Sequence, residues 1–140
     1  MSAADKPDPK NNAQWLEQLD GASYQVTRLG ATERPFSGEL LYEVRAGIYR
    51  CICCQSELFD ANAKFDAGCG WPSFDKSIDL GSIRYLRDSS LLMERVEVRC
   101  SNCDAHLGHV FDDGPSESKQ RYCINSVALT FEALDKSAES

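Results

Sequence analysis

Two pairs of cysteines constrain the fold of this chain more than any other feature of its sequence. The pairs lie in Cys51-Ile52-Cys53-Cys54 and Cys100-Ser101-Asn102-Cys103. Each has the CxxC spacing that lets two thiolates at a tight turn bind one tetrahedral ion. Each also follows a predicted strand, so the two turns must meet in space to share a metal. We therefore predict one structural Zn²⁺ per chain, bound by Cys51, Cys54, Cys100 and Cys103.

The distance between the pairs leaves other interpretations open. The segment that separates them is longer than the gap of an ordinary zinc ribbon, so the cysteines could instead form two disulfides or a redox-active CxxC. Reducing cytosolic conditions disfavour disulfides, and the chain lacks the βαβ pattern of a thioredoxin-like site. Cys53 could replace a neighbour as ligand, but only Cys51 and Cys54 match the second pair. We treat Cys53 as a spare structural thiol.

The composition describes an ordinary globular protein. The chain has 140 residues, 42% of them hydrophobic and 26% charged, which is enough for one domain with its own core. A net charge of −7 disfavours a nucleic-acid partner. No apolar run is long enough for a membrane span, and the polar N-terminus shows no secretory signal, so we expect a cytoplasmic protein. We expect one catalytic domain at 13–134, between a disordered tail at 1–12 and a frayed tail at 135–140.

Hydrophobic periodicity predicts a short helical region at the start of the domain. Trp15, Leu16 and Leu19 share one stripe of a helix over Ala13–Leu19. Asp20 is suited to cap a second helical turn. Pro35 then excludes further helix.

Short antiparallel strands are predicted after this region. The clearest signal is a hairpin formed by Ile83–Leu86 and Leu91–Arg99, because residues in its second arm alternate between apolar and charged. Asp66–Gly70 contains two glycines and is predicted to be a loop. The apolar run Tyr122–Phe131 predicts a single strand that closes the sheet.

One cysteine outside the CxxC pairs has the surroundings of a nucleophile. It lies in Arg121-Tyr122-Cys123-Ile124-Asn125, and on a strand Arg121, Cys123 and Asn125 would share one face. A neighbouring guanidinium can lower the pKa of a thiol, and the thiolate is its reactive form. An amide nearby can hold an oxygen atom close to the sulfur. A small buried cysteine in a core strand is the ordinary alternative.

Other residues could complete a thiol site around Cys123. Cys69 lies in a Gly-Cys-Gly loop. A mobile thiol together with a second, strand-held thiol suggests a resolving and an attacking cysteine, and two unrelated thiols are the alternative. Trp71 could form an apolar box for a methyl group, or pack in the core. The chain's two histidines, His106 and His109, could act as general acid and orienting group, as metal ligands, or as ordinary structural residues.

Several motifs together resemble the type B methionine sulfoxide reductases. The motifs are Gly30-x-Thr-Glu-x-Pro-Phe36, Gly47-Ile-Tyr-x-Cys51, Lys64-Phe65, Gly70-Trp-Pro-Ser-Phe74, His106-Leu-Gly-His-Val-Phe-Asp-Asp-Gly-Pro115 and Arg121-Tyr-Cys-Ile-Asn125. They follow the family's order from about Trp15 to Phe131 without large gaps. The resemblance implies a mainly β fold, in which two antiparallel sheets form a barrel-like core with short N-terminal helices and a four-cysteine zinc site.

The resemblance also implies an activity and residue roles. The implied reaction is reduction of the R epimer of methionine sulfoxide in proteins and peptides, a repair of oxidative damage that uses thioredoxin as reductant. The implied roles are nucleophile for Cys123, resolving thiol for Cys69, contact with the substrate or its oxygen for His106, His109 and Asn125, support of the thiolate for Arg121, and substrate binding for Trp71 and Phe111. For Phe111, packing is the alternative. Zinc is the one cofactor expected, and we expect a monomer.

Two other classes of protein remain possible at this point. A zinc-held binding module without catalysis would explain both CxxC pairs, but not the grouping of Arg121, Cys123 and Asn125 with two histidines. A thiol peroxidase would also use an attacking and a resolving cysteine, but it has less need of an indole beside the thiols.

Overall fold

Two helices precede two antiparallel sheets in the computed structural model, which describes residues 12–89 and 94–134. The helices are α1 (Asn12–Gln18) and α2 (Gly21–Leu29). The strands are β1 (Gly47–Cys51), β2 (Glu57–Asp60), β3 (Lys64–Phe65), β4 (Ser73–Phe74), β5 (Ile83–Asp88), β6 (Arg95–Cys100), β7 (His106–Phe111), β8 (Arg121–Ile124) and β9 (Leu129–Ala133). The expected tails lie outside the described residues, apart from Asn12, at which α1 begins. The expected mainly β class is confirmed.

Local capping defines the limits of α2. The Asp20 carboxylate accepts a hydrogen bond from the Ser23 N–H at 2.8 Å, which confirms the predicted cap. The helix ends at Gly30, whose left-handed backbone (φ 79°) donates its N–H to carbonyls of the last turn. Trp15 is buried, as predicted, whereas the side chain of Leu16 lies outside the described residues. Neither helix of the described ranges has the length and apolarity needed to cross a membrane.

The sheets place the two CxxC turns and the Cys123 strand in one unit. The larger sheet has the order β3-β4-β8-β7-β6-β5, and the smaller has the order β9-β1-β2. The predicted hairpin is confirmed as β5 and β6, which pair from Ile83 with Cys100 to Asp88 with Arg95. The predicted start of its second arm at Leu91 lies outside the described residues. The expected barrel-like core therefore consists of two open sheets packed together. In the described ranges, the larger sheet does not close on itself.

The prediction of one continuous strand over Tyr122–Phe131 was wrong. The run divides at Asn125 into β8 and β9, which belong to different sheets and are joined by a 3₁₀ turn, Ser126–Ala128. The side chains of Asn125 and Ser126 bond to backbone groups of other segments, and such bonds compete with a continuous ladder. Apolar content alone does not show where such a run changes sheet.

An aromatic cluster fixes the strand beside β8. Phe59 and Phe74 are fully buried and stack with ring centroids 4.3 Å apart, and Tyr49 meets Phe74 edge to face at 5.0 Å. Phe74 lies on β4, which pairs with β8 through Ser73 opposite Cys123. Packing in the core therefore holds the segment that follows Trp71 against the Cys123 strand.

Candidate active site and metal centre

The two cysteines outside the CxxC pairs meet at β8. Cys69 Sγ lies 3.6 Å from Cys123 Sγ and 3.4 Å from Ser73 Oγ. The loop reaches this position through left-handed backbone at Gly68 (φ 71°) and Gly70 (φ 96°), a conformation that glycine adopts without strain. The structure thus brings together the thiols that the sequence suggested as a pair.

A cavity of about 90 Å³ opens beside Cys123. Its walls combine aromatic rings with polar groups and are formed by Thr32, Trp71, Arg95, Gly108, His109, Phe111, Cys123 and Asn125. Five of these residues were predicted from the sequence. Thr32, Arg95 and Gly108 were missed as site residues, although Thr32 and Gly108 lie within the quoted motifs. Of the remaining predicted site residues, Cys69, His106 and Arg121 lie outside this lining.

A β-bulge brings the two histidines to the same region. Residues three apart on a regular strand face opposite sides, but here Val98 pairs with Gly108 and Arg99 pairs with His106, which leaves Leu107 as an extra residue. The rings of His106 and His109 consequently lie 5.8 Å apart between centroids. His109 borders the cavity, whereas His106 is buried and only 6% exposed.

Carboxylates hold both imidazole rings. Glu97 Oε2 lies 2.7 Å from His106 Nδ1, and Asp88 Oδ2 lies 2.8 Å from His109 Nε2. Burial lowers the pKa of His106, and the nearby Glu97 opposes this effect only in part. His106 Nε2 is buried and has no hydrogen-bond partner within the described part of the chain. The two carboxylates therefore fix the orientation of both imidazole rings.

The pKa of Cys123 differs from the sequence-based expectation. Burial, followed by the charge and the hydrogen bond of Cys69, raises the pKa of Cys123 to about 12, although the Arg121 guanidinium acts in the opposite direction. Arg121 is itself paired with Asp113 at 2.8 Å and lies over the Phe111 ring, which limits its effect on the thiol. Burial also tends to raise the pKa of Cys69, but hydrogen bonds with Ser73 and other neighbours outweigh it and bring that pKa below its ordinary value.

Asn125 borders the same cavity as Cys123, whereas Arg121 lies outside its lining. Asn125 follows the end of β8 and still has extended backbone (φ −70°, ψ 127°). Its Oδ1 accepts a hydrogen bond from the Glu33 N–H at 2.9 Å, and its Nδ2 donates to the Leu107 carbonyl at 2.9 Å. These two bonds fix the amide at the cavity wall.

The two CxxC turns converge into one four-thiol site. The Sγ atoms of Cys51, Cys54, Cys100 and Cys103 all lie within 4.8 Å of one another. Across the turns, Cys51 Sγ lies 3.6 Å from Cys103 Sγ, and Cys54 Sγ lies 3.6 Å from Cys100 Sγ. Cys53 is buried but is outside this group. Four converging thiols of this kind fit a closed tetrahedral metal site.

Comparisons with known proteins agree with this geometry. The family model described as the SelR domain matches residues 19–133. A peptide methionine sulfoxide reductase MsrB of Pseudomonas entomophila (strain L48) is 55% identical over 126 residues, which cover 90% of this chain and 96% of that protein. The protein of the same name from Pseudomonas putida (strain W619) is also 55% identical over 126 residues, with 90% and 95% covered.

A solved structure shares the fold at lower sequence similarity. The crystal structure of the Mis18 "Yippee-like" domain matches with a TM-score of 0.50 and 18% identity, over 66% of this chain and all of that one. At this identity, the likeness concerns the fold alone. The family match and the two relatives extend across both the thiol site and the four-cysteine site. The chain therefore belongs to the family of type B methionine sulfoxide reductases.

Proposed function

We propose that this protein reduces methionine-R-sulfoxide in proteins and peptides to methionine, with residues 13–134 as one catalytic domain. The observation that carries the proposal is the 3.6 Å separation of Cys69 Sγ and Cys123 Sγ, with Cys123 at the wall of a small cavity. The names of the relatives support the substrate class. The preference for the R epimer rests on the family.

The cavity walls suit a methyl sulfoxide group. The rings of Trp71 and Phe111 offer apolar surface to the methyl group, and the ring of His109 and the amide of Asn125 offer polar atoms to the oxygen. Its volume of about 90 Å³ suits a small group better than a large side chain. Both rings line the cavity, which supports the prediction that Trp71 and Phe111 bind substrate.

The first step transfers the sulfoxide oxygen to Cys123. The Cys123 sulfur attacks the sulfoxide sulfur and forms a bond to it, while His109 gives a proton to the sulfoxide oxygen and the thiol proton of Cys123 replaces the one that His109 gave. The hydroxyl then passes from the substrate sulfur to the Cys123 sulfur as the S–O bond and the new S–S bond break, so that methionine is released and Cys123 becomes a sulfenic acid. The substrate sulfur gains the two electrons that Cys123 loses, so no organic cofactor is required.

The next steps restore the thiols. Cys69 attacks the sulfenic acid, which forms a Cys69–Cys123 disulfide and releases water. The 3.6 Å distance between the sulfur atoms supports this step because little loop movement is needed. A thioredoxin-type dithiol then reduces the disulfide by exchange, a reaction suited to a reducing compartment such as the cytoplasm. The expected monomeric state stays a prediction.

The four-cysteine site would hold Zn²⁺ in a structural role. Cys51, Cys54, Cys100 and Cys103 supply four thiolates, the set that zinc prefers in closed sites. Such a site leaves no position for substrate, so the ion would hold the ends of β1 and β6 together.

The direct test is turnover of the separated R and S epimers of a blocked methionine sulfoxide, with thioredoxin, its reductase and NADPH. We expect consumption of the R epimer alone. Absence of turnover in folded, zinc-loaded protein would contradict the proposal. The remaining interpretation would be a binding module without catalysis, and such a protein should contain no unusually reactive cysteine below pH 7. Preferential consumption of peroxide in competition with a sulfoxide peptide would instead indicate a thiol peroxidase.

A further inference from the structure

Asn125 stands at the start of a turn that its own side chain does not cap. It is the residue before the 3₁₀ turn Ser126–Ala128, a position from which asparagine ordinarily accepts hydrogen bonds from the turn. Here the amide makes no such bond and is engaged by the Glu33 N–H and the Leu107 carbonyl. This orientation is the one in which Asn125 lines the cavity.

The carboxylate of Glu33 supplies the missing cap. Glu33 Oε1 accepts a hydrogen bond from the Val127 N–H at 3.0 Å. Glu33 therefore donates from its backbone to the Asn125 side chain and accepts with its side chain from the turn that follows Asn125. This reciprocal pair of hydrogen bonds resembles a capping box, but it joins segments that are far apart in the sequence.

The segment that begins at Glu33 also fixes the opposite side of the cavity. The Trp71 indole N–H donates to the Glu33 carbonyl at 3.1 Å. Three residues later, the Phe36 N–H donates to the Gly70 carbonyl at 2.7 Å, between Cys69 and Trp71. Glu33 is thus hydrogen-bonded to two residues of the cavity wall while it lies outside the wall itself.

The surroundings of the carboxylate indicate a site built to hold it. Glu33 Oε2 is buried and has no hydrogen-bond partner in the part of the chain that the structure describes. Burial raises the pKa of Glu33, and backbone hydrogen bonds from Val127 and Ser126 oppose that effect. A Cβ atom at Gly38 would come within 2.7 Å of this oxygen and 2.2 Å of the Ser126 Cβ. Partial burial of a carboxylate is unfavourable unless its oxygens accept hydrogen bonds, and here Oε1 accepts one from the turn.

We infer that Glu33 is a positioning residue for the sulfoxide cavity: by capping the Ser126–Ala128 turn, it holds the Asn125 amide and the Trp71 indole in the orientations that bind substrate. The inference rests on the proposed function, because it assigns Glu33 to that same cavity. Glu33 does not activate the thiol, since its negative charge raises the pKa of Cys123.

The test compares three substitutions of Glu33 with one control. Glu33→Ala removes the cap, Glu33→Asp withdraws the carboxylate by one methylene, and Glu33→Gln retains an acceptor of the same length. We expect the Ala and Asp variants to raise KM for a methionine-R-sulfoxide peptide about tenfold, and the Gln variant to stay within about threefold of the unmodified protein. Glu39→Ala, which removes an exposed carboxylate from a neighbouring position, should leave KM unchanged.

A spectroscopic measurement separates positioning from general loss of structure. The chain has two tryptophans, so the indole N–H exchange of Trp71 can be compared with that of Trp15 in the same sample. We expect faster exchange at Trp71 and unchanged exchange at Trp15 in Glu33→Asp, which also serves if Glu33→Ala fails to fold. Alkylation of Cys123 should not become slower in either variant, because Glu33→Asp moves the negative charge of the carboxylate away and Glu33→Ala removes it.

Two results would overturn the inference. One is an unchanged KM and unchanged Trp71 exchange in both the Ala and Asp variants of an active enzyme. The other is a rise in KM in Glu33→Gln as large as that in the Ala and Asp variants. Because Gln retains an acceptor of the same length, loss of the cap would then not explain the rise. Failure of the unmodified protein to reduce either epimer would instead overturn the proposed function, so the two failures can be told apart.

Discussion

His109 and Cys123 are direct partners across the ladder between β7 and β8. The His109 imidazole and the Cys123 thiol are therefore both carried by paired strands, whose backbones are held by neighbours on each side. The other thiol, Cys69, is carried by a glycine-flanked loop. This division fits the proposed chemistry, because the first step requires fixed geometry and the second requires a group that can approach and withdraw.

Substitution of Cys123 and substitution of Cys69 should impair the reaction at different steps. Cys123→Ser removes the nucleophile and should lower activity by roughly a thousandfold or more. Cys69→Ser retains the nucleophile but not the resolving thiol, so it should form about one methionine per enzyme and accumulate sulfenic acid. Rapid-quench measurement of methionine, with a dimedone-type probe for sulfenic acid, checks both results. Full thioredoxin-driven turnover by Cys69→Ser would refute the resolving role.

Removal of Cys69 should lower the pKa of Cys123. After burial, the largest causes of the raised pKa are the charge and the hydrogen bond of Cys69, and a serine cannot supply that negative charge. Cys69→Ser should therefore increase the thiolate fraction of Cys123 and its rate of alkylation by iodoacetamide, roughly tenfold at pH 8. The check is a pH profile of alkylation, read by mass spectrometry of the Cys123 peptide. A midpoint that stays the same or rises would show that Cys69 does not control the nucleophile.

Gly108 should not tolerate a side chain. A Cβ atom there would lie 2.1 Å from the Cys123 carbonyl oxygen and 3.0 Å from the Ile124 Cα, which are backbone atoms of β8. Gly108→Ala should lower the free energy of unfolding by about 3 kcal/mol and reduce activity, because β7 and β8 must separate. Gly21→Ala is the control, since a Cβ atom at Gly21 meets nothing within 4 Å. Urea denaturation of both variants checks the difference, and equal stability would show that the ladder adapts at little cost.

Zinc content should distinguish the ligands from the spare thiol. The unmodified protein should contain one zinc ion per chain, and Cys54→Ser should lose it, because four converging thiols are needed for a closed site. Cys53→Ser should retain the ion. Loss of the metal should lower the melting temperature by about 10 °C or more. Elemental analysis and thermal denaturation of both variants provide the check. Loss of zinc in Cys53→Ser with retention in Cys54→Ser would reverse the assignment.

The sequence predicted the features that depend on local chemistry. The Asp20 cap follows from a carboxylate placed before free backbone N–H groups, and the CxxC turns follow from the geometry of metal ligation. The proximity of Cys69 and Cys123 was implied by the resemblance to a known family, whereas the residues alone also allowed two unrelated thiols.

Features that depend on register or burial could not be predicted in this way. The bulge at Leu107 depends on where β7 pairs with β6, and strict alternation would have separated the two histidines. The pKa of Cys123 was expected to fall beside Arg121, but the burial of Cys123 and the pairing of Arg121 with Asp113 depend on the tertiary structure. Glu33 was one polar residue within a motif, and its role depends on contacts with Asn125 and Val127, which lie far away in the sequence.

The division of the last apolar run between two sheets has a consequence for the order of events during synthesis. β8 joins the β3–β4 pair to the β5–β7 meander, and β9 completes the edge of the smaller sheet. Both strands leave the ribosome after every strand that they join. The two CxxC turns can therefore meet on a metal before the larger sheet is continuous. Cys123 is added only with β8, so a nascent chain can complete the four-cysteine site before it contains the Cys123 site.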